Sequence, residues 1–163
     1  MRMRLPSRSG AWMTALALAA VLPACGGGGG GGNSPTPVAP APQPVRSLVG
    51  NFNFSVLGTT AANRAGLTRD VALVSLTLGE SGTLEIIADW TFASNDIDIL
   101  LYSGTCTPTQ VVAGACSVID ATTSVTAKPE RLTRSATAGT YTIGIMNFGR
   151  TDESGVGQVF LTR

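Results

Sequence analysis

The chain has 163 residues, with 11 Lys and Arg against 10 Asp and Glu, and it contains no His. Because Arg2, Arg4, Arg8 and Arg46 all precede residue 47, the remainder holds seven basic and ten acidic residues, a net charge near −3. A domain without a basic stripe does not neutralise phosphates, so nucleic acid is excluded as a partner. The absence of His also removes the commonest general base and metal ligand.

The beginning of the chain has the three-part layout of an export signal. Arg2, Arg4 and Arg8 are followed by an apolar run over residues 11–21 and then by the small residue Ala24. A helix needs roughly 20 apolar residues to cross a bilayer, and this run is too short. The sequence therefore predicts a signal peptide over residues 1–24 and not a membrane span.

A single cysteine follows the apolar run, in the tetrapeptide Leu22, Pro23, Ala24 and Cys25. This tetrapeptide resembles the lipobox of bacterial lipoproteins, which implies cleavage before Cys25 and attachment of diacylglycerol and fatty chains such as palmitate. The resemblance places the protein at the cell envelope. In a cell with two membranes it implies the outer one, because Gly26 stands where inner-membrane lipoproteins typically carry aspartate. The alternative is an ordinary secreted protein with an unmodified cysteine.

Residues 26–46, GGGGGGGNSPTPVAPAPQPVR, have no apolar periodicity from which to build a core. Glycine gives a flexible coil, while the proline-rich part over residues 37–44 favours extended polyproline II. A flexible chain of this length has an r.m.s. reach of roughly 25 Å. Residues 25–46 are therefore predicted to be a lipidated tether that holds a folded unit clear of the headgroups.

From residue 47 to residue 163 the hydrophobic pattern has a period of two, which is typical of β-strands. The predicted core-facing positions are Leu84, Ile86, Ala88 and Trp90 in one strand, Tyr141, Ile143 and Ile145 in another, and Val159 and Leu161 in a third. The segments DVALVSLTL and DIDILLYS are apolar on both faces and are predicted to be central strands. The predicted fold is all-β, a single antiparallel β-sandwich, jelly-roll-like, with seven to eight strands.

Two further cysteines, Cys106 and Cys116, lie in the segment CTPTQVVAGAC. With Cys25 assigned to lipid an even pair remains, and in an oxidising compartment this pair is predicted to form a disulfide. A metal site is the alternative, but two thiols without His lack the usual four-ligand zinc set.

The runs DWTFASNDIDILLYSG and KPERLTRSATAGTYTIGIMNFG resemble the bacterial pre-peptidase C-terminal domain, over roughly residues 71–162. The matching positions, in chain order, are Trp90, Asp96, Asp98, Pro129, Glu130, Gly139, Thr140 and Tyr141. The resemblance implies a small non-catalytic β-sandwich of the kind appended to secreted enzymes, some members of which bind calcium or an extracellular polymer. In this chain a lipobox and a tether precede the module in place of an enzyme domain.

Two acidic residues are the first candidate site. Asp96 and Asp98 are two apart on a predicted strand, so their side chains are expected on the same face. With Asp89 and Asn95 they would supply the oxygen ligands that calcium prefers. The alternatives are a structural turn, in which the carboxylates accept hydrogen bonds from backbone amides, and the acid–base pair of a small hydrolase. Like charges this close raise each other's pKa unless a cation or amide donors compensate.

Aromatic residues are the second candidate site. Phe92 and Phe148 stand beside predicted turns and are candidates for stacking against a sugar, whereas Trp90 and Tyr141 fall on core-facing positions. The sequence thus predicts a non-enzymatic, lipid-anchored envelope module that contacts a protein or polysaccharide partner. A calcium- or carbohydrate-binding module of the cell surface is the second hypothesis, and a small hydrolase is the third.

Overall fold

The computed structural model describes residues 40–59 and 71–163, so the predicted signal peptide, Cys25 and most of the predicted tether lie outside the described residues. Within the described part there are eight strands and one short helix. The elements are β1 (Arg46–Val56), β2 (Val71–Leu78), β3 (Gly82–Trp90), β4 (Ile97–Ser103), α1 (Pro108–Val112), β5 (Val118–Ala121), β6 (Glu130–Ala136), β7 (Gly139–Asn147) and β8 (Glu153–Thr162).

The strands form two four-stranded sheets with the orders β1-β8-β3-β6 (sheet I) and β2-β7-β4-β5 (sheet II). All pairings are antiparallel. The nested pairs β1·β8, β2·β7, β3·β6 and β4·β5 are those of one long hairpin that has been rolled up, with alternate pairs assigned to opposite sheets. This is the arrangement of a jelly roll, so the predicted all-β sandwich with up to eight strands is confirmed.

The core lies between the two sheets and is built by the alternation that the sequence predicts. Leu84, Ile86 and Ala88 on β3 are each 0% exposed, and the intervening side chains point outward. The other predicted core positions are also buried, namely Trp90, Tyr141, Ile143, Ile145, Val159 and Leu161. Alternation alone therefore identifies the inner face of three strands.

One strand assignment was wrong. β4 is central, between β7 and β5, as predicted, but β2 lies at the edge of sheet II. The outer side of β2 is apolar because it packs within its own sheet: Val71 is buried and Leu73 half-buried beside Tyr102, whose ring lies over Gly144. Apolar residues on both faces of a strand indicate that both faces are packed. They do not indicate whether the strand is paired on one edge or on two.

Gly155 on β8 pairs with Phe54 on β1 and leaves room for its ring. A Cβ at Gly155 would stand 2.3 Å from Phe54 Cζ and 2.2 Å from the carbonyl oxygen of Asp89. Because a backbone oxygen has little freedom to move aside, we expect Gly155→Ala to lower the free energy of unfolding by about 2 kcal/mol. Urea unfolding followed by Trp fluorescence measures this loss. The matched control is Gly79→Ala, where nothing lies within 4 Å of the added Cβ, and equal losses in the two variants would contradict this packing.

Cys106 and Cys116 form the predicted disulfide, with 6.1 Å between their Cα atoms. The loop that it closes is fastened to sheet II by Thr142, which is 2% exposed. The Thr142 hydroxyl accepts a hydrogen bond from the Cys106 N–H at 3.0 Å and donates one to the Gly104 carbonyl at 2.8 Å. The disulfide loop is therefore held at its base by a buried side chain.

The disulfide loop contains α1, a helix of five residues. Thr107 caps it, and Gln110 completes a capping box, with Pro108 in the first turn. The letters TPTQ carry the signature of a helix start, although the helix is too short to show a hydrophobic period. Among the residues described, no helix has the length and hydrophobicity needed to cross a bilayer.

Candidate carboxylate site

Asp89, at the outer face of β3, has its charge balanced by Lys128. Its carboxylate forms an ion pair with the Lys128 ammonium and accepts a hydrogen bond from the Trp90 N–H at 2.9 Å. The hydrogen bond from Lys128 is the main cause that lowers the pKa of Asp89, while burial acts in the opposite direction. Asp89 is thus a partner for Lys128 and does not join the other predicted calcium ligands.

Asn95 is 4% exposed and ties the β3–β4 loop to the start of β8. Its side-chain amide donates to Glu153 Oε2 at 2.9 Å and to the Thr151 carbonyl at 3.1 Å. The amide oxygen accepts from the Thr151 N–H at 3.4 Å. Both ends of the side chain are therefore used in loop packing, and Asn95 is also separated from the predicted calcium set.

Glu153 is the centre of this loop network. It is 3% exposed and accepts hydrogen bonds from the backbone N–H groups of Thr91, Phe92 and Ser154. Burial raises its pKa, but the hydrogen bonds from Asn95 and the three backbone groups outweigh burial, and the pKa lies below its ordinary value. Four hydrogen-bond donors stabilise the charged form of this buried carboxylate.

Asp96 and Asp98, at the start of β4, remain together. Both are half-buried, and one oxygen of each, Oδ1, is buried without a hydrogen-bond partner. Glu130, the first residue of β6, is 2% exposed, and its Oε2 is also buried without a partner. We call these three residues the carboxylate cluster. Asp98 lies on β4 in sheet II, Asp96 directly precedes that strand, and Glu130 lies on β6 in sheet I.

The three charges act on one another. Burial, together with the smaller effects of the charges on Asp96 and Glu130, raises the pKa of Asp98 to about 6. Burial raises the pKa of Glu130 as well, against hydrogen bonds from the Thr122 side chain and the Ser124 backbone, and the charge of Asp96 adds to the increase. The three carboxylates therefore repel one another, and one buried oxygen of each has no hydrogen-bond donor.

A cleft of about 410 Å³ adjoins the cluster, and Glu130 belongs to both. The cleft is lined by Asp120, Ala121, Thr122, Thr123, Ser124, Glu130, Arg131, Leu132 and Thr133. Hydroxyl and carboxylate oxygens therefore dominate its wall. Oxygen donors of this kind suit a hard cation or a polar ligand that both donates and accepts hydrogen bonds.

The cluster is not a finished metal site. Across residues 40–59 and 71–163, no three His, Cys, Asp or Glu side chains form a ready-made group for a metal ion. Of the predicted calcium ligands the structure brings together Asp96 and Asp98, while Asp89 and Asn95 have other partners. Cys106 and Cys116 are bonded to each other in the disulfide and so offer no thiolate ligand.

The two candidate aromatic residues lie on neighbouring loops. Phe92 is 51% exposed, whereas Phe148 is half-buried and donates its backbone N–H to the Asp96 carbonyl at 2.7 Å. Trp90 lies in the core as predicted, and its indole N–H donates to the Phe92 carbonyl at 2.9 Å. Sugar stacking at Phe92 and Phe148 stays a prediction.

Glu130 and Glu153 are absent from the predicted site residues. The signal for Glu130 is the alternation in ERLTRSA, which places it on the same face as the buried Leu132 and Ala136. Glu153 has no such signal, because it stands in the polar run GRTDESG, whose composition indicates an exposed turn.

Comparisons with known proteins give no assignment for this chain. No protein-family model matches it, and no curated protein matches it. The resemblance to the pre-peptidase C-terminal domain therefore stays a prediction that rests on the motifs around Trp90, Asp98 and Tyr141.

Proposed function

We propose that this chain is a non-enzymatic, lipid-anchored module of the cell envelope, whose jelly-roll domain contacts a protein or polymer partner. The observation that carries the proposal is Cys25, which follows an apolar run and precedes a tether of glycine and proline. The disulfide between Cys106 and Cys116 supports it weakly, because disulfides persist in oxidising compartments. In a cell with two membranes, Gly26 favours the outer one.

The anchor follows from the energetics of lipid chains. Each buried methylene contributes about 0.8 kcal/mol, and one acyl chain alone gives only marginal, reversible attachment. Two or three chains on Cys25 would give a lasting anchor. The tether would then hold the sandwich away from the bilayer, where it can contact its partner.

The residues present favour binding over catalysis. The sequence has no His, and Lys128 is held in an ion pair with Asp89. A hydrolase would depend on Asp96 and Asp98, with Asp98 as the acid because its pKa is raised to about 6. The second candidate, cation or carbohydrate binding, is favoured by the buried carboxylate oxygens without partners and by the hydroxyl-lined cleft beside them.

Metabolic labelling with an alkyne fatty acid tests the anchor. We expect the natural chain to incorporate label and to sediment with membranes, and Cys25→Ala to lose both properties because the acceptor thiol is gone. Ser34→Ala in the tether is the matched control and should retain both. Equal labelling of Cys25→Ala and the natural chain would refute the anchor.

A further inference from the structure

We propose that β1, an edge strand of sheet I, is the pairing surface of a homodimer. In this dimer β1 of one chain lies antiparallel to β1 of a second copy, about a two-fold axis at Asn53, so that sheet I continues across the interface. The pairing does not depend on lipid at Cys25, and it goes beyond the contact with an envelope partner.

The open side of β1 carries backbone groups that no strand pairs. Val45 and Arg163 exchange two hydrogen bonds, which shows that alternate residues of β1 bond to β8 while the others point to the open side. Beyond the bulge near the start of β1, the residues that point to the open side are Asn51, Asn53 and Ser55. All three are exposed, and their N–H groups have no hydrogen-bond partner in the part of the chain that the structure describes. Such an edge is a template for a further strand.

This edge lacks the features that usually block pairing between sheets. Residues 47–56, SLVGNFNFSV, contain no charged residue and no proline, and the bulge alters only the first part of the strand. On the other side of the sandwich, by contrast, β6 carries Glu130, Arg131 and Arg134, and β5 has only four residues. Arg134 also donates a hydrogen bond to the Ile119 carbonyl and so bridges these two edge strands.

Exposed apolar side chains gather around β1. Among the residues described, nine large hydrophobic side chains are exposed, and five of them lie on β1, next to its ends or on β8 beside it. These five are Val45, Leu48, Val49, Leu57 and Val156. On β2, the other uncharged edge strand, the exposed residues are Ser75 and Thr77. The apolar surface therefore selects β1 over β2 as the pairing edge.

The polar residues of β1 are complementary to those of a second copy. When two copies run antiparallel about Asn53, the two Asn53 amides stand opposite each other, and each amide can both donate and accept a hydrogen bond. Asn51 then lies opposite Ser55 of the second copy. Residues 47–163 hold seven basic and ten acidic residues, so two copies repel each other, but an uncharged strand brings no like charges together at the interface.

The same register matches apolar side chains. Phe52, which is half-buried, lies opposite Phe54 of the second copy on the inner side of the continued sheet. Val49 and Leu57, which are 40% and 53% exposed, are equally distant from Asn53 in the sequence, so each meets the other across the interface. An unrelated edge strand would not supply this match, and a second copy is therefore the occupant that β1 fits.

Native mass spectrometry of the purified full chain, released from detergent at protein concentrations of about 1 to 100 µM, tests the dimer. We expect the dimer fraction to rise with concentration, because a single pair of strands makes a small interface. The same spectrum gives the mass of each chain, so a failure of the lipid anchor is distinguished from a failure of the dimer. A chain that stays monomeric throughout this range would overturn the proposal.

The variants Asn53→Lys and Asn53→Asp each place like charges at the two-fold axis. Each variant alone should raise the dissociation constant of the dimer about tenfold. An equal mixture of the two should form mixed dimers with close to the natural affinity, because opposite charges then face each other. Asn53 is exposed, so the thermal unfolding midpoint should hardly change.

The matched control is Thr77→Lys, which adds the same charge to β2 and should leave the dimer intact. Dimers that persist in both Asn53 variants would show that another surface pairs and would overturn the proposal. An equal loss of dimer in Thr77→Lys, or a mixture of the two Asn53 variants that stays monomeric, would also contradict it.

Discussion

Replacing Glu153 with Gln is expected to lower the free energy of unfolding by about 3 kcal/mol. The natural carboxylate accepts hydrogen bonds from Asn95 and from three backbone N–H groups, and it is 3% exposed. Gln keeps one accepting oxygen and brings an NH2 group, which faces donors that it cannot satisfy. Each buried donor left without a partner costs about 1–3 kcal/mol.

The stability that the Glu153 carboxylate contributes should be lost at low pH. The pKa of Glu153 lies below its ordinary value of 4.5, because its hydrogen bonds outweigh burial. The stabilisation is therefore complete well above pH 4.5 and is lost as the pH falls through the lower, folded-state pKa. Urea unfolding at pH 7 and at pH 3 measures the difference between the natural protein and Glu153→Gln. This difference should shrink at pH 3, and an unchanged difference would contradict an ionised Glu153.

Removing the disulfide is expected to lower the free energy of unfolding by about as much as Glu153→Gln does. For Cys106→Ala with Cys116→Ala the chain-entropy relation gives about 3 kcal/mol, because the bond closes a short loop in the unfolded chain. The buried Thr142 still fastens the base of the loop, so we expect a less stable sandwich with the same fold. Guanidinium unfolding of the double variant measures the loss, and circular dichroism checks that the strands remain.

A reducing agent supplies the control for the disulfide. It should lower the unfolding midpoint of the natural protein to that of the double variant and leave the double variant unchanged. A natural protein whose midpoint does not respond to complete reduction, verified by thiol titration, would contradict a stabilising role for this bond.

The architecture could be predicted because burial in a sandwich follows a period of two. Leu84, Ile86 and Ala88 alternate with outward side chains, and that alternation survives in the folded protein without exception. The lateral position of β2 could not be predicted, because strand order depends on pairings between distant segments. β2 pairs with β7, some 70 residues later in the chain, and nothing local to β2 records that partner.

The candidate site could be predicted only where its residues are close in the sequence. Asp96 and Asp98 are two residues apart in the sequence, so the alternation of a strand is enough to place them on the same side. Glu130 reaches them only because β6 and β4 lie in facing sheets, which is a property of the topology. Conversely, Asn95 is next to Asp96 in sequence but turns to Glu153, because the buried carboxylate offers it a stronger partner.

Intact mass spectrometry of the mature protein, extracted from the membranes of cells that make it, tests the central claim most directly. We predict that the chain starts at Cys25 and carries the added mass of a diacylglyceryl group, with or without a further acyl chain on its amino terminus. A chain that retains residues 1–24, or one that starts at Cys25 with an unmodified thiol, would contradict it.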